Sequence, residues 1–310
     1  MTNGRCRVAV LMSTYNGEKY IREQIDSILA QKNVDVSLII RDDGSLDRTE
    51  TIIEDYCSRY ENVVFLDDRE HLGPGISFLK LLSYAYCEKK GYDFFSFADQ
   101  DDIWLDRKLE TAVEALKEKQ SACLYCCNQE IYSEGSLKGL MHVSPPDFSF
   151  KGHLLKNTVS GCTFVLNRSL ADAVVRSGLP DEVISEFRFH DAWIIMISLT
   201  IGEVLYDSNA YILYRIHDNN VVGLDKSKPL KQRVALLLSG RKKNLAERQA
   251  KFLLEKFNDI EQEKENFLTI VAGYRNSLSY KIKLISDKEV CSFSGENRLK
   301  FVIKILLNYL

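Results

Sequence analysis

Three carboxylates stand within four residues at Asp99-Gln100-Asp101-Asp102, directly after the apolar run 92–98. Acids concentrated where a buried strand emerges are costly unless a cation or a ligand compensates them. A divalent metal suits this donor set. Mg²⁺ and Mn²⁺ take hard oxygen ligands, use one or two carboxylates, and leave positions open for the phosphate oxygens of a substrate. Asp99 and Asp101 thus make a candidate metal-diphosphate site. An Asp-x-Asp triplet alone also describes a solvated turn, so the surrounding elements have to decide between the two.

Those elements read as strands alternating with helices. Residues 8–12 form a continuous apolar run, as expected of a strand buried on both faces, and Ile21, Ile25, Ile28 and Leu29 then recur at helical spacing. The unit repeats, with strands at 34–40, 63–66 and 93–98 and helices at 47–60, 76–89 and 106–119. Four such repeats predict an α/β fold with a doubly wound, mostly parallel sheet, whose ligands bind at the carboxyl edge of the strands. The polar loops fall on that edge: Ser13-Thr14-Tyr15-Asn16-Gly17, then Arg41-Asp42-Asp43-Gly44-Ser45, then residues 67–75, then the acidic cluster. Ser, Asn and Gly offer hydroxyl, amide and close backbone approach to a nucleotide, and Asp42 and Asp43 could accept hydrogen bonds from a base or ribose. The same Asp43, Gly44, Ser45 and Asp47 also suit a turn and a helix cap. Asp102 is expected to cap the segment that follows it. Gly-x-Gly-x-x-Gly and the P-loop pattern are both absent, which counts against a dinucleotide enzyme or a P-loop ATPase. A phosphohydrolase with an aspartate nucleophile would carry its Asp-x-Asp after the first strand, whereas here it follows the fourth.

Composition is that of a soluble globular chain. With 310 residues, 45% of them hydrophobic, it can bury a large core as one large or two modest domains. No apolar run reaches the length of a membrane span, and residues 1–7 lack the pattern of a signal peptide, so a cytoplasmic location is expected. Eight scattered cysteines fit that compartment, and Cys123-x-x-Cys126 lacks the second pair that a zinc site needs. Charge is uneven: residues 226–310 hold 18 Lys+Arg against 9 Asp+Glu, a net of +9, while the remainder holds 23 against 35, a net of −12. A basic, amphipathic C-terminal part, expected as one or two long helices, suggests either an anionic partner such as a membrane surface or a helical tail docked on its own catalytic domain. The stretches 230–243 and 297–307 are the candidates for bilayer contact, and nothing points to nucleic acid.

Taken in order, these motifs resemble the family 2 inverting glycosyltransferases of the GT-A fold. The matching pieces are residues 10–17, residues 24–31 (Gln-Ile-Asp-Ser-Ile-Leu-Ala-Gln), residues 41–49, Asp99-Gln100-Asp101-Asp102-Ile103-Trp104 with Lys108, Ser160-Gly161-Cys162-Thr163, His190-Asp191-Ala192-Trp193, and residues 214–223. They span about the first 225 residues, which sets the expected division into a catalytic domain, 1–225, and a basic helical region, 226–310. The Asp-Gln-Asp-Asp-Ile-Trp form is most similar to the bacterial rhamnosyltransferase branch, which uses dTDP-L-rhamnose to build cell-surface polysaccharide. The resemblance implies that Thr14, Tyr15 and Asn16 line the nucleotide pocket, that Asp42 and Asp43 meet base and ribose, and that Asp99 and Asp101 hold Mg²⁺ or Mn²⁺ on the donor diphosphate. It also implies that His217 approaches the same metal, that Asp191 is the catalytic base, and that the acceptor is a saccharide or a lipid-linked saccharide. Family members often have Glu before that Asp; His190 stands there instead. Trp104 and Trp193 are either sugar-stacking or core residues. Two other readings fit the same residues: a UDP-sugar-dependent transferase of this fold, and a non-catalytic subunit that binds nucleotide sugars or glycans.

Overall fold

The computed structural model describes residues 4–68, 70–88, 91–155, 159–178, 190–217, 244–293 and 298–309. The expected stretch 230–243 lies outside them, as does Asn297. The first half follows the predicted alternation: β1 (Arg7–Thr14), α1 (Ile21–Leu29), β2 (Asp35–Asp42), α2 (Thr49–Arg59), β3 (Val63–Phe65), α3 (Pro74–Cys87) and β4 (Phe94–Ala98). Then come β5 (Ile103–Trp104), α4 (Lys108–Leu116), a long β6 (Cys123–Ser133), β7 (Ser136–Leu140) and α5 (Phe150–His153). β8 (Val165–Asn167), α6 (Arg168–Ser177), α7 (His190–Ile201) and β9 (Glu203–Arg215) complete the sheet.

The strands lie in the order β3-β2-β1-β4-β8-β6-β9-β5, with β7 paired to β6. Parallel pairing runs from β3 through β2 and β1 to β4, and β6 is parallel to β9. β8 is antiparallel to both β4 and β6, so it reverses direction in the middle of the sheet. Residues of β1 alternate between two cores: Ala9 and Leu11 enter one, Val8, Val10 and Met12 the other, and all five are fully buried. This is why the strand reads as an unbroken apolar run. α1, α2 and α4 cover one face through Ile25, Ile53 and Leu109; α3, α6 and α7 cover the other through Phe78, Leu170 and Ile194.

Register sets the functional edge. Thr14 stands beside Asp42 and Met12 beside Ala98, so the loops after β1, β2 and β4 leave the sheet together.

The C-terminal part is built from short helices rather than one or two long ones: α8 (Leu245–Lys256), α9 (Gln262–Gly273), α10 (Leu278–Ser286), α11 (Lys288–Phe293) and α12 (Arg298–Leu306). Breaks are written locally. Gly273 ends α9, the Ser277 hydroxyl accepts from the Tyr280 N–H to cap α10, and the Asp287 carboxylate accepts from the Glu289 and Val290 N–H groups to start α11. Leu253, Leu268, Tyr274 and Phe301 join the core that holds Phe78 and Ile194, and the Trp193 and Phe252 rings meet edge-on at 4.8 Å. The described tail helices are therefore docked on the sheet-bearing part. Among the described residues no helix is long and apolar enough to cross a membrane.

Candidate active site

The acidic loop is held from behind by α1. Gln24 Nε2 donates to the Asp99 carbonyl at 2.9 Å, the Trp104 N–H donates to Ser27 Oγ at 3.0 Å, and Gln31 Nε2 donates to the Leu105 carbonyl at 2.8 Å while its Oε1 accepts from the Leu109 N–H at 3.0 Å. Gln24 and Ser27, three apart, lie on one face of α1, and Gln31 follows two residues past its end. Their partners are all backbone groups, on both sides of the acidic cluster. The sequence pattern at 24–31 contained this device, although no role for it could be read there.

In front, the loop meets the end of β9. His217 Nε2 lies 2.8 Å from Asp101 Oδ2 across 116 residues of chain, and its ring stacks on Tyr20 at 4.9 Å. Arg215 anchors the approach: Nε donates to the Asp101 carbonyl at 2.8 Å, the backbone N–H donates to Asp102 Oδ1 at 3.2 Å, and the guanidinium pairs with Glu23 at 2.5 Å while lying over the Tyr20 ring. Tyr20, Glu23 and Arg215 were not singled out as site residues from sequence; only Arg215 lay inside a quoted motif.

Asp102 does not cap a helix. It is fully buried, α4 begins at Lys108, and its Oδ2 has no hydrogen-bond partner among the described residues. Carboxylate oxygens of Asp99 and Asp102 and the Cys162 sulfur lie within 4.8 Å of one another. Burial, then the neighbouring Asp101 and Asp191 charges, push the Asp99 carboxyl up to about 7. Burial with Asp99 and Asp101 raises Asp102 well above the usual carboxylate range, and burial also raises the Cys162 thiol. Lys108 lies beneath, fully buried, with Nζ 3.0 Å from Ser96 Oγ and 3.5 Å from the Trp104 ring centre; burial pushes its ammonium down to about 8. Trp104 and Trp193 are both core residues, 3% and 2% exposed.

The loops after β1 and β2 are zipped together. Thr14 Oγ1 donates to Asp42 Oδ1 at 2.7 Å; Asp42 also accepts from the Gly44 and Ser45 N–H groups. Asn16 Oδ1 accepts from the Leu46 N–H at 2.8 Å, and the Gly17 N–H donates to Thr49 Oγ1 at 2.8 Å. Tyr15 is 46% exposed at the rim, its ring 5.3 Å from that of His71. The Gln100 amide pairs with the Tyr15 backbone in both directions, at 2.9 and 3.0 Å, and ties this loop to the acidic one. A Cβ at Gly17 would fall 2.3 Å from Gln100 Oε1, so only glycine allows that approach.

Asp43 takes a different place from Asp42. Its oxygens accept from Arg41 NH1 and the Leu72 N–H, both at 2.7 Å, and from the Gly73 N–H at 2.8 Å. Arg41 is fully buried and also pairs with Asp68 at 2.8 Å. Burial opposes ionisation of Asp68, but hydrogen bonds from Arg41 and Lys80 outweigh it and hold the carboxyl down at about 2. Asp43 thus fastens Leu72 and Gly73 to the end of β2.

Asp191 lies in the first turn of α7, where Oδ1 accepts from the Ala192 N–H at 2.6 Å, and its charge reaches Asp99. His190 is buried between Phe78 and Phe97, with ring centres 4.2 and 4.7 Å away, and neither ring nitrogen has a hydrogen-bond partner among the described residues. Burial pushes the imidazole down to about 3, so it is neutral. The Gly161-Cys162 segment seats both groups: a Cβ on Gly161 would lie 2.4 Å from His190 Nε2 and 3.2 Å from Asp191 Cβ.

One edge of the sheet thus gathers Asp99, Asp101, His217 and Asp191, with Thr14, Tyr15, Asn16 and Asp42 in the adjoining loops. Residues 9–174 match the family model described as glycosyl transferase family 2. The chain belongs to this family. It is 30% identical over 220 residues to the dTDP-rhamnosyl transferase RfbG of Shigella flexneri, a match covering 70% of this chain and 75% of that one. It is 31% identical over 169 residues to the UDP-Glc:alpha-D-GlcNAc-diphosphoundecaprenol beta-1,3-glucosyltransferase WfgD of Escherichia coli, covering 53% and 61%. S. aureus TarS 1-349, solved in complex with UDP-GlcNAc, has a TM-score of 0.55 at 18% identity over 96% of this chain and 81% of that one, which shows a shared GT-A fold. The polar strand-end loops are those of a glycosyltransferase.

Proposed function

We propose that this glycosyltransferase moves a 6-deoxyhexosyl group, L-rhamnose, from dTDP-L-rhamnose to a saccharide or lipid-linked saccharide during assembly of a cell-surface polysaccharide, with inversion. The observation that carries the reading is the convergence of Asp101 with His217 across 116 residues, beside Asp99 and Asp191. Support for the sugar comes from the RfbG relative.

The residues fit a divalent cation. An imidazole and a carboxylate converge at ligand spacing, Asp102 Oδ2 is buried without a hydrogen-bond partner among the described residues, and the mutual repulsion of Asp99 and Asp101 is the kind that a positive charge relieves. Asp101 and His217 would hold Mg²⁺ or Mn²⁺, which would neutralise charge on a departing nucleoside diphosphate, while the carboxylate of Asp99 groups with Asp102 and Cys162 rather than with this pair. Thr14 and Asp42, bonded to each other, and the exposed Tyr15 ring bind the nucleoside end; Asn16 keeps their two loops together. Asp191 takes the proton of the acceptor hydroxyl as that oxygen attacks the anomeric carbon; the anomeric carbon–phosphate oxygen bond breaks and the diphosphate leaves. Enclosure by the Gly161-Cys162 segment and neutral His190 fixes where Asp191 stands. A lipid-linked acceptor would bring the enzyme to the cytoplasmic face of a membrane, through its basic C-terminal region.

A UDP-sugar donor is the competing reading, favoured by the match to WfgD. Thermal-shift titration with dTDP-rhamnose and a panel of UDP-sugars in the presence of Mn²⁺ separates the two, because a ligand that binds the folded state stabilises it by an amount that grows with the logarithm of its concentration over Kd. A shift with UDP-sugars alone overturns the rhamnose assignment.

A further inference from the structure

α12 is apolar on two sides. Phe301 and Ile305 are fully buried against the core, while Leu299, Ile303 and Leu306 are 64%, 45% and 53% exposed. The exposed three recur at spacings of four and three and so form a second stripe. α10 lies alongside: Lys281 Nζ donates to the Leu306 carbonyl at 3.5 Å. It adds Leu278 at 72% and Ile282 at 56%, again four residues apart. Two neighbouring helices thus present five large apolar side chains to solvent, more than the scattered single residues that a surface normally shows.

The sequence of these two helices holds Lys281, Lys283, Arg298, Lys300 and Lys304 and no acidic residue. Pairing with a second copy through such a face would oppose like charges. An anionic lipid surface complements it: apolar stripes enter the boundary between headgroups and acyl chains, while lysine stems run along the stripe and place their charges at the phosphates. We infer that α10 and α12 form one docking face for an anionic phospholipid bilayer. This deepens the reading of a lipid-linked acceptor, and it locates the contact on a pair of docked helices rather than in a free tail.

The test is co-sedimentation of the full chain with phosphatidylcholine vesicles, with and without phosphatidylglycerol, at low and high salt. The expected result is binding to the anionic vesicles, weakened by salt. I282S/I303S and K283Q/K304Q should each lower partitioning on the order of tenfold. These positions are exposed or at the rim of the core, and circular dichroism checks that each variant is folded. The inference fails if the wild type shows no preference for anionic vesicles, or if both variants partition as it does. It also fails if I282S/I303S merely converts a dimer to a monomer on size exclusion with vesicle binding unchanged. Transfer to a soluble saccharide acceptor is measured in parallel. Vesicle binding without donor turnover sinks the transferase reading alone, and turnover without vesicle binding sinks the docking face alone.

Discussion

His217 Nε2 and Asp101 Oδ2 stand 2.8 Å apart although 116 residues separate them in the chain. A long strand, β9, carries the histidine back over the acidic loop, and Arg215 fixes the last turn by binding the Asp101 carbonyl and Glu23. Asp101→Ala should abolish Mn²⁺-dependent donor turnover with the melting temperature preserved. His217→Ala should lower activity about 10²-fold and raise the Mn²⁺ concentration needed for half activity. Full activity in Asp101→Ala, or in wild type treated with chelator, contradicts the site.

Asp191→Asn removes the proposed base while keeping an acceptor for the Ala192 N–H. Transfer should fall by about 10²- to 10⁴-fold. Donor binding, read by calorimetry with the dTDP-sugar, should stay within a few-fold of wild type. A parallel loss of binding would make Asp191 a donor ligand instead.

Gly17 and Gln100 should behave as one unit. Gly17→Ala pushes the amide off the Tyr15 backbone, so its effect and that of Gln100→Ala should overlap. The double variant is expected to be about as stable as Gln100→Ala alone, a coupling of about 1 kcal/mol in thermal unfolding. Strictly additive effects would show that the two do not communicate.

His190 predicts the acid limb of the stability curve. Its folded value of about 3 lies below the 6.5 of an ordinary histidine, so the unfolded chain takes up the proton first as pH falls. The stability given by the neutral, buried ring is whole above about pH 6.5 and is lost from there toward pH 3, with a slope of up to about 1.4 kcal/mol per pH unit. His190→Phe should flatten the profile between pH 6.5 and 5 in denaturant melts. An unchanged slope would mean that the imidazole gains a partner when protonated.

The parallel half of the sheet was legible because strands buried on both faces leave unbroken apolar runs, and every predicted helix from α1 to α4 lies within a few residues of its observed place. β8 was not, since three residues carry no periodicity. Asp102 was misread for a related reason: burial of an acid beneath a loop leaves no mark in a sequence in which all acids look solvated. The hold of Arg41 on Asp43 was not legible either, because Arg41 gave no sign of being fully buried. The long C-terminal helices fragmented because caps such as Ser277 and Asp287 are common residues, distinguishable only by what they bond.

Gln24, Ser27 and Gln31 grip the acidic loop by its peptide groups and ask nothing of its side chains. The path of the loop is therefore inherited separately from its chemistry. Replacing a carboxylate at its tip removes a ligand group while the peptide contacts of Gln24 and Ser27 stay as they were, which is why Asp101→Ala is expected to keep its melting temperature. A change at Gln24 or Gln31 has the opposite reach, because it leaves the side chains in place and frees backbone groups on either side of the cluster, at Asp99 and at Leu105 and Leu109.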